Sequence, residues 1–307
     1  MTAEPRLYGV LVTYRRPVQL AAALSAIGRQ SRPLHELFVV DNDGSAAEVV
    51  ARVAPGATYV RAPDNLGPAG GIALGMQRVL ETARPTDWMF TFDDDDWAWS
   101  PDLFADLLAF AQRMTSEDPS TAAVGRSGTR FDRKRGRTTR ITDDELRGPV
   151  SVDTIAGNQF PLYSVAAMAA TGVFRADLFY GFEELEYGLR LRARGYHLYV
   201  DGDVWRESRT RNRRLGLVKQ PALALRAPPQ WERYYSIRNL IVVLRANGAA
   251  GGAVRVTATT AIAKPLANLA RVPRYALQHL RLGLRASRDG WSDRLGRTLD
   301  PGGSGGS

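Results

Sequence analysis

The chain has 307 residues, 44% hydrophobic and 24% charged, which is enough for one large α/β domain with an appendage or for two small domains. It has no cysteine and only His35, His197 and His279, which excludes disulfides, thiol catalysis and cysteine-ligated metal and argues against a histidine-built zinc site. The net charge of +9 is segregated: residues 206–300 hold 19 Lys/Arg against 5 Asp/Glu, which suits a polyanionic partner (nucleic acid, anionic lipid headgroups or a diphosphate) or a solvated arginine-rich surface.

Residues 7–14 are β-favouring and mostly apolar, as a buried strand would be. Pro17 suits a helix start, Leu20, Leu24 and Ile27 recur on one helical face, and Gly28 ends it. Further strands are expected over 36–41, 58–61 and 88–92, with helices over 46–53 and 70–81 between them. Strands alternating with helices indicate a mostly parallel sheet with right-handed crossovers. Such sheets bind ligands at the carboxyl ends of their strands. Here those ends carry Thr13 to Arg16, Asp41 to Asp43 and Asp93 to Asp96.

Residues 126–147 are polar and basic and read as a loop or hairpin excursion, and 153–178 as apolar sequence packed beside the sheet. A helix over 183–194 should bury Leu185, Leu189 and Leu191, and a strand should follow over 196–200. Helix is expected over 231–247 and from 253 to about 295, broken at Pro265 and Pro273. From Pro273 onward Leu277, Leu280 and Leu284 form one stripe, with Arg274, Arg281, Arg285 and Arg288 beside it. That pattern suits a helix lying on an anionic bilayer surface, or one packed on the protein with its arginines in water. The Gly/Ser-rich residues 301–307 have linker composition. No secretory signal and no apolar run of spanning length is found, so a cytoplasmic protein is expected.

Three constellations carry chemistry. Asp93-Asp94-Asp95-Asp96 leaves a strand between Trp88, Phe90, Phe92, Trp97 and Trp99. Strand alternation would put Asp93 and Asp95 on one side, a hard oxygen site for Mg²⁺ or Mn²⁺ completed by diphosphate oxygens. Asp64-Asn65-Leu66-Gly67-Pro68-Ala69-Gly70-Gly71 could bring backbone and a helix N-terminus close to an anion. Glu183-Glu184 opens a helix, either as charge complementing its dipole or as the source of a general base.

The order of these motifs resembles the family 2 inverting glycosyltransferases, among them the actinobacterial galactofuranosyltransferases and related rhamnosyltransferases. The resemblance covers roughly residues 7–240. It rests on Val12-Thr13-Tyr14-Arg15-Arg16-Pro17, Val39-Val40-Asp41-Asn42-Asp43-Gly44, Asn65-Leu66-Gly67 through Gly70-Gly71, Asp93-Asp94-Asp95, Glu183 through Arg190, and Tyr234-Tyr235-Ser236-Ile237-Arg238-Asn239. It implies a GT-A fold, a Rossmann-like, mostly parallel sheet flanked by helices, over 1–230, with a basic helical C-terminal region over 231–300.

The resemblance implies roles residue by residue. Thr13 and Asp41 hold the nucleoside. Arg15, Asn65, Gly70, Asp93 and Asp94 contact the donor. Asp93 and Asp95 take Mn²⁺ or Mg²⁺. Glu184, with Glu183 beside it, stands where the catalytic base is usually Asp. The expected partners are a nucleotide-sugar donor (UDP-galactofuranose, with dTDP-rhamnose second), a polyprenyl-diphosphate-linked glycan acceptor and the anionic inner face of the plasma membrane, without nucleic acid.

Two departures stand out. Glu183-Glu184 replaces an Asp pair. Arg206 follows Trp205 where galactofuranosyl relatives often carry a metal-binding His, and a guanidinium can instead grip phosphate bidentately. These departures leave open a catalytically impaired, membrane-associated binding protein with a transferase-like fold. A nucleotidyltransferase would need a glycine-rich loop after the first strand, which Thr13-Tyr14-Arg15-Arg16-Pro17 lacks.

Overall fold

The structure is a computed structural model that describes residues 4–95, 100–212, 230–270 and 272–300. Asp96, Trp97, Trp99 and the Gly/Ser tail therefore lie outside the described residues. The first half runs β1 (Leu7–Thr13), α1 (Pro17–Gly28), β2 (Glu36–Asp41), α2 (Ala47–Val53), β3 (Thr58–Arg61), α3 (Gly67–Thr82), β4 (Trp88–Asp93), α4 (Leu103–Glu117) and β5 (Thr121–Gly125). A hairpin of β6 (Arg130–Asp132) and β7 (Arg137–Thr139) follows, then β8 (Pro149–Val152), β9 (Leu162–Ser164), α5 (Val165–Thr171), α6 (Glu183–Ala193), β10 (His197–Asp201) and α7 (Gly202–Arg211). The C-terminal region holds α8 (Gln230–Ala246), α9 (Ala250–Val256), a π-helical stretch (Thr257–Ala263), α10 (Lys264–Ala267) and α11 (Pro273–Trp291).

Eight strands form one sheet in the order β3-β2-β1-β4-β9-β5-β10-β8. The first four are mutually parallel, β9 runs antiparallel between β4 and β5, and β8 is an antiparallel edge. Period-two alternation divides the core between the two faces. Tyr8 and Val10 of β1 pack with Ile72, Met76 and Val79 of α3. Leu7 and Leu11 pack on the other side with Leu20 and Leu24 of α1 and Phe104 of α4. A further apolar cluster joins Leu185 and Leu189 of α6 to α8, α9 and α11 through Tyr235, Ile241, Val256 and Ala286.

The expected strands and helices of the first hundred residues are present, with α3 starting at Gly67 instead of Gly70. Helix α4 and strands β5 and β8 are additions to the elements expected from periodicity. Helix α4 has a clear buried stripe of Leu103, Phe104, Leu107, Leu108, Ala111 and Met114. Pro265 does not end a helix on its own; the π-helical turns before it lead directly into α10.

The α3 glycines serve packing. A Cβ on Gly75 would overlap Val10, and one on Gly71 would sit 2.6 Å from Val12. Their absence lets α3 lie directly on β1 and fixes the loop before it over the strand exits.

Candidate active site

Backbone register aligns the site's floor. Thr13 pairs with Asp41 and Asp41 with Arg61, while Val12 pairs with Asp93, so four parallel strands end at nearly the same level. Over the exits of β1, β2 and β3 lies a cavity of about 270 Å³. Its walls are Tyr14 and Arg15, Asn42 and Asp43, the stretch from Arg61 to Asn65, and Arg297 from the far end of the chain.

Asp41 is fully buried beneath this cavity. One carboxylate oxygen accepts N–H bonds from Asp43 and Gly44 at 3.0 Å; the other accepts from Ala46 at 2.7 Å and from the Tyr59 hydroxyl at 2.8 Å. Burial works against the charge, but the Ala46 and Asp43 donors and the Tyr59 hydroxyl outweigh it and hold the carboxyl below its usual range. With four donors from its own chain, Asp41 shapes the loop that forms the cavity wall. Asn42 braces the opposite wall: its side chain accepts from Leu66 N–H and donates to the Gly67 carbonyl, both at 3.2 Å. Asn65 is buried at the cavity, and its amide oxygen caps Gly67 N–H at 2.9 Å. Gly70 is not among the residues lining this cavity, and a Cβ on it would meet Leu66 and Ala176.

The acidic run departs from strand alternation because β4 ends at Asp93 and Asp94-Asp95 form a turn. Both Asp94 and Asp95 reach the same guanidinium nitrogen of Arg16, at 3.0 and 2.7 Å. Thr13 donates its hydroxyl to buried Asp94 at 2.9 Å, so this residue too is committed to the acids below the cavity floor. Burial raises Asp94, against the opposing pull of Thr13 and Arg16. Asp95 is 54% exposed at the side chain. Asp93 instead faces Gly157: a Cβ there would sit 2.7 Å from Asp93 Oδ2 and 3.3 Å from Glu184 Oε1. The two carboxylates thus share one small space, open only because residue 157 has no side chain.

Glu184 accepts the Gly157 N–H at 3.0 Å and remains partly accessible. Glu183 is buried, and its Oε2 has no hydrogen-bond partner. Burial, then the Glu184 charge, pushes Glu183 well above the usual carboxylate range. Glu184 is also raised by burial, with the Gly157 N–H opposing. Of the two, Glu184 is the one able to ionise toward the shared space.

Arg206 is held elsewhere. It donates to the Asp143 carbonyl at 2.7 Å, while Arg209 of the same helix pairs with the Asp143 carboxylate and stacks over Trp205. The strand that precedes its helix, β10, lies three positions from β4, roughly 14 Å along the sheet. Among the described residues, the cation paired with the acids is Arg16, an exit residue of β1 one place after Arg15. Arg15 itself lines the cavity with a positive φ of 56° and its guanidinium 3.6 Å from Asp43.

Asp93 and Asp95 supply the hard oxygen donors that Mg²⁺ or Mn²⁺ takes from one or two carboxylates, phosphates completing the shell. Among the described residues no three His, Asp or Glu gather as a full protein cage. By chemistry, two carboxylates suit a cation whose remaining ligands come from phosphate oxygens.

Arg16 stands among the polar strand exits expected from sequence, without a role of its own; Gly157, Tyr59, Arg61 and Arg297 are not indicated there as site residues. Arg61 was discoverable as a strand-exit residue; Gly157 and Arg297 carry no local signal.

Residues 10–167 match the family described as glycosyl transferase family 2. The chain is 35% identical over 196 residues to galactofuranosyltransferase GlfT1 of Mycobacterium tuberculosis, covering 60% of this chain and 64% of that protein. It is 32% identical over 182 residues to GlfT1 of Mycolicibacterium smegmatis, covering 58% of each. The match therefore spans somewhat less than two thirds of these relatives. In fold alone, the chain is similar to mannosyltransferase PcManGT from Pyrobaculum calidifontis in complex with GDP-Man and Mn²⁺ (TM-score 0.51, 16% identity, 95% of this chain and 89% of that one). It is also similar to GalNAc-T7 with UDP, GalNAc and Mn²⁺ (TM-score 0.60, 11% identity, 95% of this chain and 58% of that one).

Proposed function

Because the chain belongs to glycosyl transferase family 2, we propose that it transfers a sugar, with inversion, from a nucleotide donor to a hydroxyl of a cell-envelope glycan. The observation that carries this is the shared space at Gly157, where Glu184 and Asp93 converge on the same sheet edge as the cavity. The nucleoside occupies the cavity over β1 to β3, and the diphosphate extends along the edge toward Asp93 and Asp95. Arg15, Asn42 and Asn65 form the nucleoside's walls.

The acceptor hydroxyl enters beside Glu184. Its oxygen forms a bond to the anomeric carbon from the face opposite the diphosphate, the carbon–phosphate oxygen bond breaks, and the hydroxyl proton passes to the Glu184 carboxylate. A raised pKa makes Glu184 a stronger base than a free glutamate. Asp93 and Asp95 would hold Mn²⁺ or Mg²⁺, which neutralises charge on the departing nucleoside diphosphate. Arg16 orders the acidic turn from the other side.

The similarity to GlfT1 favours UDP-galactofuranose over dTDP-rhamnose as donor. A polyprenyl-diphosphate-linked acceptor fits an exposed apolar and basic face on the C-terminal helices, which would bring the protein to the inner surface of the plasma membrane. No described helix is long and apolar enough to cross a membrane.

The test is release of nucleoside diphosphate from a panel of UDP- and dTDP-sugars, with and without chelator. Turnover of UDP-galactofuranose that chelator abolishes and Mn²⁺ restores is expected. Absence of turnover with every donor, while nucleotides still bind, would favour the impaired binding protein instead.

A further inference from the structure

The last turn of the described chain is fastened to the donor cavity by a chain of buried polar contacts. After α11 the backbone runs back across α8. Gly296 N–H donates to the Asp177 carbonyl at 2.6 Å. Buried Arg238 donates to the Gly296 carbonyl at 2.8 Å and to the Thr298 hydroxyl at 3.2 Å. The Tyr235 hydroxyl accepts N–H bonds from Thr298 and Leu299, at 2.9 and 3.0 Å, and donates to the Leu299 carbonyl. Between these clasps Arg297 turns outward, lines the cavity and meets Asp64 at 3.0 Å, with Asp300 on its other side at 2.7 Å.

A surface arginine on a terminal segment ordinarily spends its charge in water. This one is held by backbone contacts on both sides, only 33% exposed, and aimed into the cavity's wall. The cavity lies over the exits of β2 and β3, while the acids leave β4, two strand spacings or roughly 10 Å from β2. A nucleoside diphosphate whose phosphates reach Asp93 and Asp95 thus leaves its nucleoside beside Arg297. The guanidinium there can donate to ribose and base oxygens or stack on the base.

We propose that Arg297 is a nucleoside-contact residue of the donor site, delivered by the C-terminal strap that Arg238 and Tyr235 clasp. This rests on the reading of the cavity as the nucleoside site. Asp64, on the cavity wall, pairs with the guanidinium until the nucleoside displaces that contact.

The experiment measures binding of uridine and of UDP to the full chain by titration and ligand-observed NMR, together with thermal melting. In Arg297→Ala both ligands should weaken by the same factor, about tenfold, with the melting temperature unchanged. Asp300→Ala, which removes an ion pair outside the cavity, should bind both ligands as the wild type does. Unchanged affinity in Arg297→Ala overturns the proposal. So does a loss confined to UDP, which would make the contact one to phosphate. An equal loss in Asp300→Ala overturns it too, because the pairing would then only anchor the strap. If the wild type binds neither ligand, the reading of the cavity falls and the proposal with it.

Discussion

Glu183 and Glu184 are neighbours in the chain with opposite environments, and the difference assigns their work. The buried Glu183 has an oxygen without a partner and lies within the field of Glu184 and Asp93, so it holds its proton. Glu184 receives the Gly157 N–H and opens toward the shared space. Glu184→Gln should cut turnover by about 10²–10⁴-fold while donor binding holds, as removal of a general base does. The base must be ionised to act, and burial raises it, so activity should fall as pH drops through a value above the ordinary glutamate range. A pH–rate profile checks this; an acid limb at or below the ordinary glutamate value would sink it. Glu183→Gln should melt at the wild-type temperature or higher. With its folded pKa raised, the native state binds more protons than the unfolded one, and the wild type loses stability as pH climbs from the ordinary range toward the raised value. Melting curves of both proteins across that window read the difference.

Helices α3 and α11 both use small residues to approach their neighbours, with different consequences. On α3, Gly71 and Gly75 set the helix against Val12 and Val10. Gly75→Ala should destabilise by about 1–3 kcal/mol, the cost of overpacking a closed interface, with nucleotide affinity nearly intact. On α11 the buried face is Ala276, His279, Gly283, Ala286, Ser287, Asp289 and Gly290, so closely seated that a Cβ on Gly283 would lie 2.6 Å from the Ala261 carbonyl oxygen. The apolar stripe expected from sequence therefore points outward: Leu277 is 42% and Leu284 48% exposed, with Leu280 partly covered. Leu266, Leu269, Val272 and Tyr275, shortly before this stripe in the chain, are exposed as well. Arginines flank it, each contributing roughly 1 kcal/mol near an anionic leaflet. Because α11 is also part of the C-terminal core, deleting it would disrupt the fold. The informative variant is Leu277→Ser with Leu284→Ser, which should keep its melting temperature and lose salt-sensitive sedimentation with anionic liposomes. Intact protein that stays in the supernatant at low salt would leave this face without a membrane role.

At the scale of the molecule, α8 joins parts that are remote in sequence. Arg238 and Asn239 donate to carbonyls of Leu178, Tyr180 and Gly181, the loop that delivers Glu183 and Glu184. The same Arg238 holds Gly296 and Thr298 of the strap. Its guanidinium is fully buried and lies 4.7 Å over the Tyr235 ring, so carbonyl oxygens and a π-face balance its charge. Arg238→Met would orphan several of these carbonyls and cost on the order of 3 kcal/mol. Turnover and nucleotide affinity should fall together, because the base loop and the cavity wall loosen at once. Loss of turnover alone, with affinity preserved, would mean that the two loops are not coupled through α8.

Local chemistry, read from the sequence, determined much of this. Strand and helix periods, Pro17 and Gly28 at the ends of α1, and polar residues at the exits of β1, β2 and β4 are properties of short segments, and the parallel half of the sheet follows from their alternation. The order of short motifs was enough to indicate the family. Tertiary structure alone decided which polar groups meet. The strand ends at Asp93, so the following acids follow a turn and not the strand's alternation, and Arg16 gathers Asp94 and Asp95. Arg206 is drawn to Asp143, and Asp41 is filled by its own loop. Gly157 opens the space between two carboxylates, and Arg297 arrives at a cavity whose other walls lie more than two hundred residues earlier. A sequence period fixes which way a side chain leaves its own element, but a hydrogen bond or ion pair forms only where packing brings distant elements within about 3 Å, and that separation is a property of the folded core.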